Sequence, residues 1–487
     1  MPFARSATRA SVFVTLLNLF AAAAFAAWQI PPKDEPKEVM ADALMSCYNA
    51  MFSPEPIDMK TYLADSPSRS LRLHKVWWSH REPRLPVTLF THSDLGRLKS
   101  VEAQCRGFPG GAISVAVWIP LIAPNTTSKA ASSSSPEQQQ RQSSLPDLDA
   151  SQLNALRNAT EQVDGLFRSL DQQLSPQSPA AQSSSANDDT STSTSTSTST
   201  STSSNCVLRV MLLYELVADD IMAALMPLNI LRNTAVLAAT TPLVAMVDAD
   251  MALNRGLAAE VLVNEARVAE LKRKATEERT VWVVPIFDTS DKLPFRDRQA
   301  AVDAAVAGGP DAKAQLLEMW RNRSNIYPYG IHGFTAGHGP TDYEQWKQSN
   351  TDYSITYREG YEPFFIGDRQ RPTLNPFLLN CSAYTRTLAF VFPSRTDSLF
   401  PCRMQHYELV QLANGTSIRA RAANYEHSKS TFAAACAEMK DGTYQVVMNA
   451  AAEHCRAVLP WWRPKVANRP TAAAGRTSTL RTRWRHR

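Results

Sequence analysis

Short apolar runs and longer amphipathic stretches alternate along most of the chain, and their spacing predicts its elements. Residues 86–92 (PVTLFTH), Ala112–Pro120 (AISVAVWIP) and Val207–Leu216 (VLRVMLLYEL) are apolar runs rich in Val, Leu and Ile. Their length and β-branched content predict buried strands. Asp94–Cys105, Leu253–Thr276 and Asp297–Trp320 carry apolar residues three and four apart, the spacing of a helix with one face on a core. Pro227 suits a first helical turn, and the helix it opens runs to about Ala239, where Thr240, Thr241 and Pro242 break it. Leu243–Val247 and Val281–Phe287 (VWVVPIF) complete the strands. Strands alternating with helices predict an α/β fold with a largely parallel sheet.

One stretch interrupts this pattern. Residues 125–204 are rich in Ser, Gln, Pro and Ala and end in an alternating Ser-Thr tract, Thr190–Ser204. Such a composition lacks the apolar area to offset ordering entropy, so disorder is expected, with one weak helical pattern from Leu148 to Leu174. Because strand and helix signals resume afterwards, the stretch reads as a disordered insertion within one domain. That domain spans residues 86–124 and 205–465, preceded by a lead-in at 29–85 and followed by a basic disordered tail at 466–487.

Charge and composition narrow the address. The chain has 487 residues, 44% hydrophobic and 20% charged, with a net charge of +5. The tail Arg476–Arg487 alone holds five arginines and no acid. No nucleic-acid-binding motif accompanies it, so no nucleic-acid partner is expected. Arg5 and Arg9 precede an uncharged apolar run, Ser11–Trp28, and Ala24-Phe25-Ala26 fits a signal-peptidase site. Residues 1–28 therefore read as a signal peptide or a signal anchor that delivers the body of the protein to the secretory lumen. Five N-x-S/T sequons, at Asn125, Asn158, Asn322, Asn380 and Asn414, agree with that address. Seven cysteines without a C-x-x-C pair disfavour a zinc ribbon and allow up to three disulfides in an oxidising lumen. Their pairing stays open.

The chemistry concentrates where the strand Leu243–Val247 ends. Asp248 and Asp250 follow it at once, and ligands in open α/β sheets gather beyond the carboxyl ends of strands. Two carboxylates one residue apart can reach one hard divalent cation, Mn²⁺ or Mg²⁺, which would keep sites open for phosphate oxygens. The alternative is an ordinary solvated turn. Asn229, Arg232 and Asn233 share one face of the preceding helix. They could contact a nucleotide, brace the acidic turn or simply meet solvent.

The order of these motifs resembles glycosyltransferase family 49. VTLFTHSDLGRL (Val87–Leu98) with GGAISVAVWIP (Gly110–Pro120) resembles the family's opening strand, helix and strand. MPLNILRNTAV followed by VDAD resembles its asparagine-arginine helix and D-x-D signature, and VWVVPIF its next strand. HGPTDYEQW (His338–Trp346) and YEPFF (Tyr361–Phe365) resemble two later segments. The resemblance implies a GT-A type nucleotide-sugar fold and a type II Golgi membrane topology. It also implies metal-dependent, inverting transfer from a UDP-sugar, such as UDP-glucuronate or UDP-xylose, to a glycan or glycoprotein acceptor. On the same ground Asp248 and Asp250, with His427 as a third ligand, are expected to hold Mn²⁺, or Mg²⁺. Asn229, Arg232, Asn233 and Asp248 are expected at the donor. Inversion needs a base at the acceptor hydroxyl; Glu362 is the first candidate and Asp342 the second. Trp346 and His338 are expected at the acceptor, although Trp346 could equally pack in a core. After Phe365 the resemblance fades: RPTLNPFLLNCS (Arg371–Ser382) has Asn375 and Pro376 where the family carries acids. A non-catalytic lumenal relative that binds a glycan or nucleotide sugar is therefore the rival reading. A calcium-binding adhesion module is a third, without an array of acidic loops to support it.

Overall fold

The computed structural model describes residues 37–65, 69–123, 148–171, 206–278, 280–290, 293–308, 312–321, 325–330, 335–356, 358, 361, 363–370, 380–383, 390–392 and 449–462. The predicted N-terminal signal segment, Glu362 and His427 lie outside them. Among the described residues no helix is long and apolar enough to cross a membrane.

Two helices, α1 (Lys37–Asn49) and α2 (Met59–Asp65), lead into strand β1 (Arg72–Trp78). Then come β2 (Val87–Ser93), α3 (Leu98–Gly107) and β3 (Ala112–Ile122), the strand–helix–strand unit that the pattern predicts. β3 runs past Pro120, which has no N–H to give a ladder. The site tolerates it because the pairing of β2 with β3 ends at Ser93 and Val117. Helix α4 (Ala150–Asp171) follows, then β4 (Val207–Val217), the one-turn α5 (Asp220–Ala223), α6 (Leu228–Leu237) and β5 (Leu243–Met246).

The central sheet has nine strands. Beyond β5 the chain continues with β6 (Ala252–Leu253), α7 (Glu265–Glu277), β7 (Thr280–Val284), β8 (Ile286–Thr289), α8 (Phe295–Ala307), α9 (Ala312–Trp320) and β9 (Ile326–Pro328). Then follow α10 (Thr335–His338), α11 (Tyr343–Gln348), β10 (Tyr353–Ile355), β11 (Phe364–Asp368), β12 (Asn380–Ala383), β13 (Phe390–Phe392) and α12 (Ala450–Val458). The large sheet has the order β1-β4-β3-β2-β5-β11-β7-β12-β10, and a small sheet the order β6-β13-β8-β9. Pairs β4–β3, β3–β2 and β2–β5 are parallel, whereas β1 and β11 run antiparallel to their neighbours. The result is a mixed α/β fold around a mostly parallel centre.

Helices cover both faces, which is why the central strands read as continuous apolar runs. Alternation along β3 sorts the two cores. Ile113, Val115 and Val117 pack with Val101 of α3, Leu156 and Val163 of α4 and Leu271 of α7. Ala116 and Trp118 pack with Leu44 of α1, Leu231 of α6 and Ala452 of α12 on the other face.

Four expectations change in the folded chain. The helix expected over Leu253–Thr276 is broken, because the Asn254 side chain accepts from Gly256 N–H at 2.7 Å and Asn264 caps α7 by accepting from Arg267 N–H at 3.0 Å. The single strand expected over Val281–Phe287 divides at Pro285 into β7 and β8, which belong to different sheets. The helix expected over Asp297–Trp320 divides at Gly308, whose φ of 27° no helix continues through. The insertion is not structureless throughout. The weak pattern at 148–174 forms α4, which buries Leu156, Ala159, Val163 and Leu170 against the sheet. Composition underestimated this helix because its partners lie on β3 and β4, outside the polar stretch.

Two disulfides are present among the described residues. Cys47–Cys455 joins α1 to α12, and Cys105–Cys206 joins α3 to the start of β4 across the insertion.

Candidate functional site

Asp248 and Asp250 lie on the turn that follows β5, the strand at the middle of the large sheet. The β2 ladder runs up to this turn: Val247 N–H donates to Phe90 C=O at 3.0 Å. Asp248 C=O then accepts from Met251 N–H at 3.1 Å and closes the turn. Both acids are half-buried.

Three groups hold the turn from outside it. From α6, Arg232 places a guanidinium nitrogen 2.5 Å from Asp248 Oδ1. Arg232 is 8% exposed, so the ion pair is shielded from most water. From α3, Gln104 Nε2 donates to Asp248 C=O at 2.8 Å, and Gln104 is fully buried. One turn along the same helix, a Cβ on Gly107 would meet Leu253 C=O at 2.0 Å. Only glycine lets α3 lie this close to the chain beyond the acids. Arg255 Nε adds a hydrogen bond of 2.9 Å to Arg106 C=O. The C-terminal turn of α3 is thus the bed on which residues 248–255 lie.

Of Asn229, Arg232 and Asn233 on α6, Arg232 reaches the acidic turn, while Asn229 is exposed and Asn233 half-buried. The arginine is the member of this set that braces the turn. Gln104 was not legible: nothing in its local sequence marks a buried amide that reaches across to another strand's end.

The donor set suits a hard divalent cation, with two carboxylates on one turn at a strand's carboxyl end. Among the described residues no third His, Cys, Asp or Glu joins them in a metal-holding group.

The acceptor-side candidates divide. His338 and Asp342 line a cavity of about 390 Å³ with Trp320, Tyr329, Tyr353 and Arg358. His338 is buried and meets the Tyr329 ring edge-on at 4.9 Å. Asp342 holds a left-handed backbone, φ 54°, a conformation that costs an ordinary residue about 1–3 kcal/mol. Its carboxylate caps α11 by accepting from Gln345 N–H at 3.0 Å. Burial, reinforced by the Asp342 charge, pushes the Tyr353 hydroxyl well up. That hydroxyl stays protonated and donates to Thr341 C=O at 2.6 Å. Trp346 is not on this surface. It is fully buried, 5.3 Å from the Phe287 ring with Lys313 over its face. The segment's helical spacing turns it into the core of the small sheet, so the expectation of an acceptor contact is corrected.

A family model described as a glycosyl-transferase for dystroglycan matches residues 86–390, more than half of the chain. The chain belongs to this family, glycosyltransferase family 49. Curated relatives include the xylosyl- and glucuronyltransferase LARGE2s of Gallus gallus, 26% identical over 193 residues, which are 39% of this chain and 22% of that protein. LARGE2 of Mus musculus is 30% identical over 164 residues, 34% of this chain and 21% of its own length. LARGE1 of Homo sapiens is 24% identical over 192 residues, 39% of this chain and 22% of its own. Each match therefore covers about a fifth of the relative.

Proposed function

We propose that the protein is a metal-dependent, inverting glycosyltransferase of GT-A type that moves a sugar from a UDP-sugar to a glycan or glycoprotein acceptor. The observation that carries this reading is the braced acidic turn at the carboxyl end of the central strand. UDP-glucuronate and UDP-xylose are the first donors to test, since the matched relatives are named xylosyl- and glucuronyltransferases. Asp248 and Asp250 would hold Mn²⁺ or Mg²⁺, with His427 as third ligand. When bound, such a cation neutralises the diphosphate of the departing UDP. Arg232 keeps Asp248 oriented, and with Asn229 and Asn233 it supports the donor side. At the acceptor, a carboxylate takes the hydroxyl proton as the oxygen attacks the anomeric carbon from the face opposite UDP. Glu362 is assigned this role first. Asp342 is the alternative, with the reservation that its carboxylate already caps a helix. His338 belongs to the cavity wall against which an acceptor sugar would rest.

The proposed address is the Golgi membrane, with a single-pass type II anchor and the α/β body in the lumen. The two disulfides support it, because such bonds persist in oxidising compartments.

The test is UDP release from a panel of UDP-sugars by the purified protein, with Mn²⁺ or with EDTA. Manganese-dependent release from one donor is expected, and Asp250→Asn should abolish it while leaving the melting temperature unchanged. Silence across the panel, with UDP still bound, would replace catalysis by nucleotide-sugar binding. That outcome is the one to which the missing acids at Asn375 and Pro376 point.

A further inference from the structure

Two of the five sequons fall on described residues, and the fold treats them differently. Asn158 lies on α4 and is exposed, next to the exposed Arg157 and one turn from the exposed Asn154 and Glu161. The sheet-facing side of that helix is Leu156, Ala159 and Val163. The polar contacts that tie α4 down lie on either side of Asn158 in sequence: before it, Gln152 Nε2 donates to Ile122 C=O at 2.8 Å. Asp164 accepts from the Trp77 indole and from Lys75, and Asp171 from Ser79 and Arg81. Asn158 takes no part in this docking face. Asn380, by contrast, begins β12, an inner strand between β7 and β10.

We infer that Asn158 is N-glycosylated and that its glycan stands on the outer face of α4. The reaction joins the Asn158 amide nitrogen to the anomeric carbon of an oligosaccharide. The bond from that carbon to a lipid-linked diphosphate breaks, and the amide proton leaves to a base of the transferring enzyme. The inference rests on the lumenal address proposed above.

The folded helix does not offer the sequon in an accessible form. Thr160 is half-buried, and its hydroxyl donates to Leu156 C=O at 2.8 Å. Transfer must precede docking, and the order of synthesis provides the interval. The docking partners of α4 include Leu208, Val210 and Leu212 of β4, which follow it in the chain. Until β4 emerges, the amphipathic segment lacks half its partner surface. Isolated helices are marginal, and this one carries Asn154, Asn158 and Gly165 in its body. Synthesis from Asn158 to Val217 takes about 3–12 s at roughly 5–20 residues per second. The Ser-Thr tract lengthens that interval. Asn380 has no such delay, because its partner β7 precedes it and β12 can pair as it appears. The same reasoning predicts that Asn380 stays unmodified.

The experiment uses the full chain from a secreting eukaryotic host, treated with peptide N-glycosidase in heavy-oxygen water. Trypsin cleaves after Arg157 and Arg168, so the peptide NATEQVDGLFR reports Asn158 directly. Conversion of Asn158 to labelled Asp in more than half of the molecules is expected. Asn158→Gln should lose one glycan's mass and keep the wild-type melting temperature. Label at another sequon with none at Asn158 overturns this inference and leaves the lumenal address standing. Label at no sequon overturns both.

Discussion

Donors from two helices meet Asp248, Arg232 from α6 and Gln104 from α3, and Met251 donates to it from within the turn. Gln104 is the least expected of them. It is fully buried, and its Oε1 accepts no hydrogen bond among the described residues. A buried unsatisfied acceptor costs about 1–3 kcal/mol, which an apolar side chain of the same shape would not carry. Gln104→Met should therefore leave the melting temperature unchanged or raise it. The Met251 amide should exchange faster with solvent, and donor turnover should fall by about tenfold, equivalent to about 1.4 kcal/mol. A lowered melting temperature with unchanged exchange would reduce Gln104 to a packing residue. A second buried polar group is purely architectural. Arg69 grips Glu215 through two hydrogen bonds, 2.7 and 2.6 Å, and gives a third to Leu225 C=O at 2.6 Å. Arg69→Met strands the Glu215 carboxylate and should cost about 3–5 kcal/mol in urea unfolding. Replacing both partners by apolar residues should recover most of it.

At the scale of elements, α4 decides how much of the insertion belongs to the fold. Its docking has a pH signature. The Trp77 indole N–H holds the Asp164 carboxyl below its ordinary value of 3.8, against a smaller opposing effect of burial, and Lys75 adds to the lowering. A depressed folded value adds stability above the unfolded value, lost as pH falls through the folded one. Wild type should melt above Asp164→Asn at pH 6, and the gap should close as pH falls below 3.8. The gap should be small, because the Asp164 side chain is 35% exposed and solvent screens it. A gap that persists in acid would mean that the charge plays no part. Helix α3 carries the opposite lesson. Its place was legible from the pattern, but its use as the bed of the acidic turn depends on Gly107, which a sequence shows only as a residue near a helix end.

Across the whole molecule, Cys47–Cys455 ties the first described helix to the last, 408 residues apart. Helices α1 and α12 pack together on one face of the sheet with α6. Trp461 and Trp462, just after α12, both donate to Leu237 C=O at 2.8 Å. The end of the chain therefore supports the helix that carries Arg232. Removing the bridge with Cys47→Ser and Cys455→Ser should cost about 2–4 kcal/mol of unfolding free energy. Peptides from α12 should lose exchange protection before those from β2 and β3. Uniform loss across the sheet would show that α12 is part of one cooperative unit.

Hydrophobic period and local chemistry by themselves determined the α/β class, the strands β2 to β5, the acidic pair after β5 and the arginine face before it. These are local signals: burial on two faces writes continuous apolar runs, and a helix writes its face every three or four residues. Tertiary structure alone decided what depends on distant partners. It placed Trp346 in a core, paired four cysteines, split two helices and one strand, and docked α4 on strands outside its own polar stretch. It also set Gln104 against Asp248, because a hydrogen bond between residues so far apart in the chain leaves no period to read.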